Sequence, residues 1–298
     1  MNSLSNCTLC PRNCSVDRAN GQMGFCNSTK NIKISRAALH HWEEPCISGR
    51  NGSGAVFFSN CNLQCVFCQN HKISHEGYGK EISIKDLSNI FIKLQREGAH
   101  NINLVTPTHY VPEIIEAIKL SKKYGLSIPI LYNSNGYENI ETIKMLEGYI
   151  DIYLPDFKYF NNKYSVKYSS CNNYFEHTSK AIEEMFNQVG TPVFNTEGIM
   201  QRGIIIRHLM LPGLLFDSKK VIDYIYSKFK DDVYISLMNQ YTPLNNLSKY
   251  PELNKTLNPK HYDSMINYCL ELGIKNAFIQ ESGTSSKKFV PNFDLTGI

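Results

Sequence analysis

The sequence lacks the features that would place the protein in a membrane, outside the cell or on nucleic acid. No stretch approaches the ~18 consecutive apolar residues that a membrane-spanning helix needs. The first residues, Met1–Cys7, show no basic region followed by an apolar run, so we expect no secretory signal. The net charge of +4 is spread along the chain, without the basic block that marks a nucleic-acid-binding arm. We therefore expect a cytoplasmic protein without membrane or nucleic-acid partners.

Cysteine, by contrast, is abundant. The 298 residues include ten cysteines, and eight of them lie in the first 68 residues. In a chain without an export signal, cysteines are metal ligands more often than disulfides. Cys46, Cys171 and Cys269 have no partner at a ligand-like spacing, so we interpret them as ordinary thiols.

Three of these cysteines form a compact motif. Cys61, Cys65 and Cys68 have the spacing C-x3-C-x2-C. Four-iron clusters are usually held by four cysteines, so three ligands leave one iron with an open coordination position. The alternatives are buried thiols without a ligand and a zinc knuckle, for which His71 is the nearby residue that could supply a fourth ligand.

The rest of the chain alternates short apolar runs with amphipathic segments, which predicts βαβ units and a parallel sheet. The predicted strands are Ala55–Phe58, Asn101–Thr106, Ile128–Asn133, Ile150–Asp156, Gly203–Leu211, Val233–Met238 and a possible last strand at Ala277–Gln280. The predicted helices are Lys85–Glu97, Pro112–Tyr124, Glu138–Glu147, Asn173–Val189, Asp217–Phe229 and Pro259–Leu272. Six such units predict an α/β fold with a parallel, barrel-like sheet, whose chemistry lies at the carboxyl ends of the strands.

The triplet follows the first predicted strand directly and is therefore expected at this catalytic edge. Residues 1–50, by contrast, are predicted to form a small cysteine-rich, metal-bound appendage, and residues 51–298 the core domain.

The motif C-x3-C-x-aromatic-C after a first strand resembles the signature of radical S-adenosylmethionine (SAM) enzymes. Further runs are similar to the branch described as pyruvate formate-lyase-activating-enzyme-like proteins. Those runs are Val105–Pro112, Tyr132–Tyr137, Tyr153–Lys158, Ile206–Gly213, Ser236–Pro243 and the N-terminal cysteine segment Cys7–Cys26. The resemblance covers nearly the whole chain, and it implies a (β/α)6 partial TIM-like barrel as the radical SAM core.

The resemblance implies an oxidoreductase or lyase that works anaerobically with a [4Fe–4S] cluster and SAM. The cluster would be bound by Cys61, Cys65 and Cys68, and the amino and carboxylate groups of SAM would chelate its open iron. One electron would cleave SAM, and the resulting 5'-deoxyadenosyl radical would take a hydrogen atom from the substrate. A flavodoxin or ferredoxin is the implied reductant, and a glycyl radical protein is a possible substrate.

A second set of thiols, Cys7, Cys10, Cys14 and Cys26, has four members and suits a closed site. Tetrahedral zinc and an auxiliary iron–sulfur cluster both remain open. Gly21 and Gly24 would allow the tight return of the chain that such a site needs. Reduced thiols without a ligand are the alternative.

Polar residues at the strand ends, together with an aromatic residue of the triplet, are candidates for binding SAM; no residue is assigned a catalytic role. The candidates are Phe67, Thr106, Thr108, His109, Asn133, Ser134, Asn135, Asp156, Lys158, Arg207 and His208. By resemblance, Phe67 would pack near the adenine, and Asp156 and Lys158 correspond to an Asp-x-Lys pair beside SAM. Their alternatives are ordinary ones: a core aromatic for Phe67 and a surface ion pair for Asp156 with Lys158.

Three of these strand ends carry further alternatives. Thr106–His109 stands where many of these enzymes carry a Gly-Gly-Glu-Pro type motif, and His109 can equally face substrate or be structural. Asn133–Asn135 can serve a turn, since Asn135 precedes a glycine. Of Arg207 and His208, at most one should face the interior, because successive strand residues point to opposite faces. By resemblance, His208 is favoured to reach SAM, with Arg207 contacting a carboxylate.

These features leave several functions open. The enzyme hypothesis predicts hydrogen abstraction from a glycyl radical partner, a small molecule or another peptide. A cysteine-rich zinc or nucleic-acid-binding module would need basic patches interleaved with exposed aromatics, which the sequence does not show. An iron–sulfur electron carrier would need a cluster saturated by four cysteines.

Overall fold

The computed structural model describes residues 4–243, 247–280 and 291–298. Its strands within these residues are β1 (Ile32–His40), β2 (Ser53–Phe58), β3 (Lys80–Ile82), β4 (Ile102–Val105), β5 (Ile130–Ser134), β6 (Ile152–Pro155), β7 (Val193–Phe194), β8 (Met200–Leu209), β9 (Tyr234–Met238) and β10 (Ala277–Ile279). The helices are α1 (Pro45–Ser48), α2 (His71–Ser74), α3 (Ile84–Arg96), α4 (Val111–Lys123), α5 (Ile140–Met145), α6 (Asn162–Ser169), α7 (Tyr174–Val189), α8 (Leu215–Phe229) and α9 (Pro259–Leu272). Short 3-10 helices lie at η1 (Arg18–Asn20) and η2 (Thr108–Tyr110).

The sheet is mostly parallel, as the alternation of strands and helices predicts. Its order is β10-β9-β8-β6-β5-β4-β2-β1-β3, and the run from β10 to β2 is parallel throughout. Each of the seven predicted strands overlaps one of these parallel strands. Strand β1 pairs antiparallel with β2, and β3 with β1, so residues 32–40 extend the sheet from within the segment expected to be an appendage.

Local signals define the helix starts. Ser83 forms a capping box before α3: its hydroxyl accepts from the Asp86 amide, and the Asp86 carboxylate accepts from the Ser83 amide. Pro259 occupies the first turn of α9 behind the cap residue Asn258. Within the described residues, no helix is long and apolar enough to cross a membrane.

Successive residues of the parallel strands serve two different faces of the sheet. Ile204 and Ile206 of β8 pack with helix residues such as Ile222 of α8. Ile205 lies between them in sequence and packs instead with Leu131 of β5. We call these the helix face and the cavity face, because the cavity face ends in the site described next.

Candidate functional site

A cavity of about 390 Å³ lies on the cavity face, at the carboxyl ends of the parallel strands. This volume falls within the range of roughly 300–1,000 Å³ that is typical of small-molecule sites. The polar residues that line it at or just beyond the strand ends are Asn133, Asp156, Arg207 and Ser236. The connection between β1 and α1 contributes Glu43 and Glu44 from the opposite direction.

Arg207 holds the polar part of the cavity together. Its Nη1 lies 3.0 Å from Glu43 Oε2, its Nε 3.2 Å from Asp156 Oδ1, and its Nη2 2.5 Å from Asn133 Oδ1. Lys158 Nζ lies 2.5 Å from the other carboxylate oxygen of Asp156. Arg207 and Lys158 carry the positive charges of this network, and Glu43 and Asp156 carry the negative ones. The network therefore has no net charge, and its ion pairs hold the side chains in place along the cavity.

This network sets the protonation states of Asp156 and Lys158. Burial alone would raise the pKa of Asp156, but Lys158 and Arg207 lower it overall. Burial alone would lower the pKa of Lys158, yet the Asp156 carboxylate raises it overall. Asp156 and Lys158 are therefore a charged pair near neutral pH, and they are only 22% and 13% exposed rather than a surface ion pair.

The triplet lies in the loop between β2 and α2, beside this cavity. The loop leaves β2 through Asn60, whose φ of +73° suits asparagine and turns the chain back. Asn60 donates to Ser28 Oγ at 3.0 Å, and the amide of Val66 donates to the carbonyl of Tyr168 at 2.9 Å. These anchors fix the loop against the N-terminal segment on one side and α6 on the other.

Each thiol of the triplet meets a hydrogen-bonding group. The Leu63 amide and Asn135 Nδ2 donate to Cys61 Sγ at 3.4 and 3.3 Å. The hydroxyl of Ser169 lies 3.0 Å from Cys65 Sγ, and that of Ser74 lies 3.2 Å from Cys68 Sγ. Donors of this kind stabilise thiolate ligands and tune cluster potentials, so the three sulfurs fit iron–sulfur ligation.

Burial dominates the acidity of these thiols. It raises the pKa of Cys65 to about 11 and also raises the pKa of Cys61 and Cys68. Lys158 opposes this effect at Cys65, because its positive charge favours a thiolate there. A buried thiol with a raised pKa becomes a ligand only as the metal displaces its proton.

Three other candidates, Phe67, Asn135 and Thr106, do not line the cavity itself. Phe67 is buried and meets Tyr241 edge to face, with ring centroids 6.1 Å apart. Asn135 reaches the triplet itself. Thr106 has a φ of +60°, and its amide donates to the Asn133 carbonyl at 2.8 Å.

His208 does not line the cavity, whereas Arg207 and Leu209 do. His208 is buried, and its Nδ1 lies 2.7 Å from the Phe157 carbonyl. Of the two neighbours in β8, the structure thus brings Arg207 to the cavity, the reverse of the preference that the resemblance implied. The contact of His208 with SAM stays a prediction.

Thr108, His109 and Ser134 also lie away from the cavity lining. The Thr108 hydroxyl donates to Glu138 at 2.6 Å, and Ser134 Oγ accepts from the Gly136 amide at 3.2 Å. His109 lines a different cavity, together with the N-terminal cysteines.

Glu138 gives a pH dependence that can be tested directly. Burial raises the pKa of this carboxyl to about 8. The folded chain binds the proton on Glu138 more tightly than the unfolded chain does. The stability gained from this proton is therefore complete below about pH 4.3 and is lost as the pH rises through about 8. We expect Glu138→Gln to remove a pH-dependent term of a few kcal/mol from the unfolding free energy, measured by urea denaturation. The exposed neighbour Glu141→Gln is the control, and equal pH profiles for Glu138→Gln and the parent chain would contradict this assignment.

The N-terminal thiols line one small enclosed cavity. Cys7, Cys10, Cys14 and Cys26 all contribute to its wall. Gly24 is required here, because a Cβ at this position would lie 2.7 Å from Cys14 Sγ. Within the described residues, no three His, Cys, Asp or Glu side chains are arranged as ligands of one metal ion.

Sequence reasoning missed Glu43 and Glu44. Both follow β1, a strand that lies in the cysteine-rich segment and was not predicted. Glu43 accepts from Asn103 at 2.9 Å and from Arg207, so the connection after β1 forms one wall of the site. The apolar residues Ile32 and Ile34, two apart and both buried, are the strand signal that could have revealed it.

Comparison with known proteins agrees with this architecture. Residues 55–224, more than half of the chain, match the family model of the radical SAM superfamily. The chain belongs to this superfamily. Membership implies a [4Fe–4S] cluster and SAM.

Individual proteins and solved structures are also similar to the chain. The chain is 33% identical over 266 residues to the uncharacterized protein MJ0674 of Methanocaldococcus jannaschii, covering 86% of this chain and 72% of that one. The structure of Streptococcus suis SuiB bound to S-adenosylmethionine aligns with a TM-score of 0.52 at 14% identity, over 76% of this chain and 49% of SuiB. A radical SAM methyltransferase from Sphaerobacter thermophilus aligns with a TM-score of 0.51 at 11% identity, over 78% and 67%. The radical SAM chain thus spans about half the length of SuiB, and these structures share its fold.

Proposed function

We propose that this radical SAM enzyme binds SAM in the cavity at the strand ends and acts on a polypeptide segment. The observation that carries the SAM site is a shared lining: Gln69 and Asn70, which directly follow Cys68 of the triplet, line the same cavity as Asp156 and Lys158. A cofactor in the cavity therefore lies against the triplet.

Different residues of the chain would bind the cluster and SAM. Cys61, Cys65 and Cys68 would bind the cluster, which when bound supplies the electron that cleaves SAM to the hydrogen-abstracting radical. Asn133 and Asp156 offer oxygens to hydroxyl and ammonium groups of SAM, and Arg207 keeps both aligned.

Three further candidates complete this proposal. Asn135 keeps Cys61 hydrogen-bonded. Phe67 remains our candidate for the adenine and His208 for a SAM contact. We further propose that the sheet curves as a partial barrel, with the N-terminal thiols as a second metal site outside it.

We propose polypeptide substrates because related folds bind them. SuiB has been solved with its precursor peptide SuiA and aligns with a TM-score of 0.52. A glycyl radical partner, as for pyruvate formate-lyase-activating enzymes, is also a polypeptide segment, and a flavodoxin or ferredoxin would supply the electron. Candidate partners captured anaerobically should transfer deuterium from a labelled residue to 5'-deoxyadenosine. Deuterium transfer from labelled small molecules alone would contradict a polypeptide substrate.

The decisive experiment for SAM cleavage uses the full chain. After anaerobic reconstitution with iron and sulfide, we expect dithionite and SAM to yield 5'-deoxyadenosine and methionine in equal amounts, measured by liquid chromatography. Omission of dithionite is the control. A fully loaded cluster that gives no 5'-deoxyadenosine would overturn the enzyme assignment.

A further inference from the structure

Glu44 is a buried carboxyl group in the wall of the candidate site. It is 8% exposed and lines the cavity at the carboxyl ends of the strands. Its side-chain oxygen Oε2 has no hydrogen-bond partner among the described residues. The two oxygens of a carboxylate exchange by rotation about the last side-chain torsion, so the group can present an unpartnered oxygen to the cavity. Because a buried polar group without a partner costs free energy, this oxygen points to a ligand that satisfies it.

The local fold does not use the Glu44 side chain. Glu44 is the residue before α1, and its backbone carbonyl accepts from the amides of Ile47 and Ser48 at 2.8 and 3.0 Å. Its side chain, by contrast, makes no capping hydrogen bond to that helix. The start of α1 therefore needs the backbone of this residue and not its carboxyl group.

The two cations that line the cavity are paired with other carboxylates. Arg207 forms ion pairs with Glu43 and Asp156. Lys158 forms an ion pair with the other oxygen of Asp156. Within the part of the chain that the structure describes, no ion pair of 4.0 Å or less includes Glu44. An ionised Glu44 would therefore add one unbalanced negative charge to a network that otherwise has no net charge.

The surroundings of Glu44 leave this charge to be balanced by a ligand. Burial raises the pKa of Glu44, the charge of Arg207 opposes this effect, and the Glu43 carboxylate adds to it. His40 lines the same cavity, but burial lowers its pKa to about 4, so it is neutral near pH 7. A cationic group brought by a ligand would pair with the ionised carboxylate and displace its proton to solvent.

Glu44 lies toward the end of the cavity that is away from the triplet. Gln69 and Asn70, which directly follow the triplet, line this cavity and not the next one. Pro45, directly after Glu44, also lines a second cavity of about 880 Å³, and Phe278 is shared in the same way. A ligand that reaches Glu44 therefore has space to continue beyond the part of the cavity that we assign to SAM.

We propose that Glu44 recognises the ammonium group of a lysine side chain in the polypeptide substrate. Apolar residues of the same cavity would pack against the aliphatic stem of that lysine, and they are Phe57, Val105, Leu209 and Met238. One unpartnered oxygen suits the point charge of an ammonium group, whereas a guanidinium fork is matched by both oxygens of a carboxylate. This inference rests on the proposed function for the polypeptide substrate, and it adds the class of residue that is recognised.

Binding to the anaerobically reconstituted full chain tests this proposal. The probes are lysine, norleucine and arginine, each blocked as the Nα-acetyl methylamide; norleucine has the four-carbon stem of lysine without the ammonium group. Equilibrium dialysis with saturating SAM measures their dissociation constants. We expect the lysine probe to bind at least ~10-fold more tightly than the norleucine probe, because a hydrogen bond to a charged group is lost. Equal affinities, no detectable lysine binding or tighter binding of the arginine probe would overturn the proposal.

The variant Glu44→Gln assigns the effect to this carboxyl group, because it keeps the size of the side chain and removes its charge. It should abolish the preference for lysine over norleucine and retain the affinity for labelled SAM. Glu197→Gln is the matched control, since Glu197 is an exposed carboxylate that lines the second cavity. It should keep the preference for lysine. If Glu44→Gln instead weakens SAM binding and keeps that preference, the carboxyl group binds the amino group of SAM, and the proposal is wrong.

Urea denaturation separates recognition from a structural role. Glu44→Gln should be at least as stable as the wild-type chain, because it replaces a buried carboxyl group that has no ion pair. A large loss of stability together with loss of all probe and SAM binding would show that Glu44 is structural only. None of these measurements requires SAM cleavage. A failed lysine preference in a chain that forms 5'-deoxyadenosine would therefore overturn this inference alone.

Discussion

Replacing Cys61, Cys65 and Cys68 by alanine should abolish formation of 5'-deoxyadenosine from SAM and dithionite. We expect a loss of at least ~10³-fold, since the redox centre supplies the whole acceleration of this step. The three thiols lie in one loop, and each lies 3.0–3.4 Å from a hydrogen-bonding group suited to a cluster ligand. The rate of 5'-deoxyadenosine formation per mole of protein checks the expectation.

Two controls make this experiment specific. Cys171→Ala removes a buried thiol next to the same region, with Cys171 Sγ donating to the Ser165 carbonyl at 3.7 Å, and it should retain activity. Iron content should fall by about four per chain in the triple variant while the N-terminal set is untouched. Substantial 5'-deoxyadenosine from the triple variant would show that SAM is cleaved elsewhere.

Much of the sheet could be predicted because its strands are short apolar runs separated by amphipathic helices. Because the strands are apolar throughout, however, the sequence does not show which residues point to which face of the sheet. In β8, Ile204, Ile205 and Ile206 are all fully buried, since a parallel sheet is covered on both faces. Without alternation, the sequence shows that Arg207 and His208 face opposite ways but does not show which of them reaches the cavity.

The sequence likewise predicts the position of some residues of the candidate site and not of others. The triplet and the pair Asp156 and Lys158 follow strands directly, so the topology alone brings them to one edge of the sheet. Glu43 reaches the site through contacts far apart in sequence, with Asn103 and Arg207. Such contacts depend on how β1 and the N-terminal segment pack, which local patterns do not encode.

Arg207→Met should destabilise the cofactor-free protein strongly. It removes the cation shared by Glu43 and Asp156, whose side chains are only 10% and 22% exposed. Breaking a buried ion pair from one side costs about 3–5 kcal/mol, because the remaining charge stays desolvated. Urea denaturation under anaerobic conditions measures the change in unfolding free energy.

The chain offers a matched control on the same strand. Arg202 is exposed and donates to the Gln188 carbonyl at 2.8 Å, so Arg202→Met should change the unfolding free energy little. Arg207→Lys should recover only part of the loss, since an ammonium group cannot bridge Glu43, Asp156 and Asn133 with a planar fork. Adding Glu43→Gln to Arg207→Met should restore stability relative to the single variant, because it removes the carboxylate left without its partner. If Arg207→Met and Arg202→Met lower the unfolding free energy by the same amount, the network does not stabilise the fold. Its charges would then contribute only to binding the ligand in the cavity.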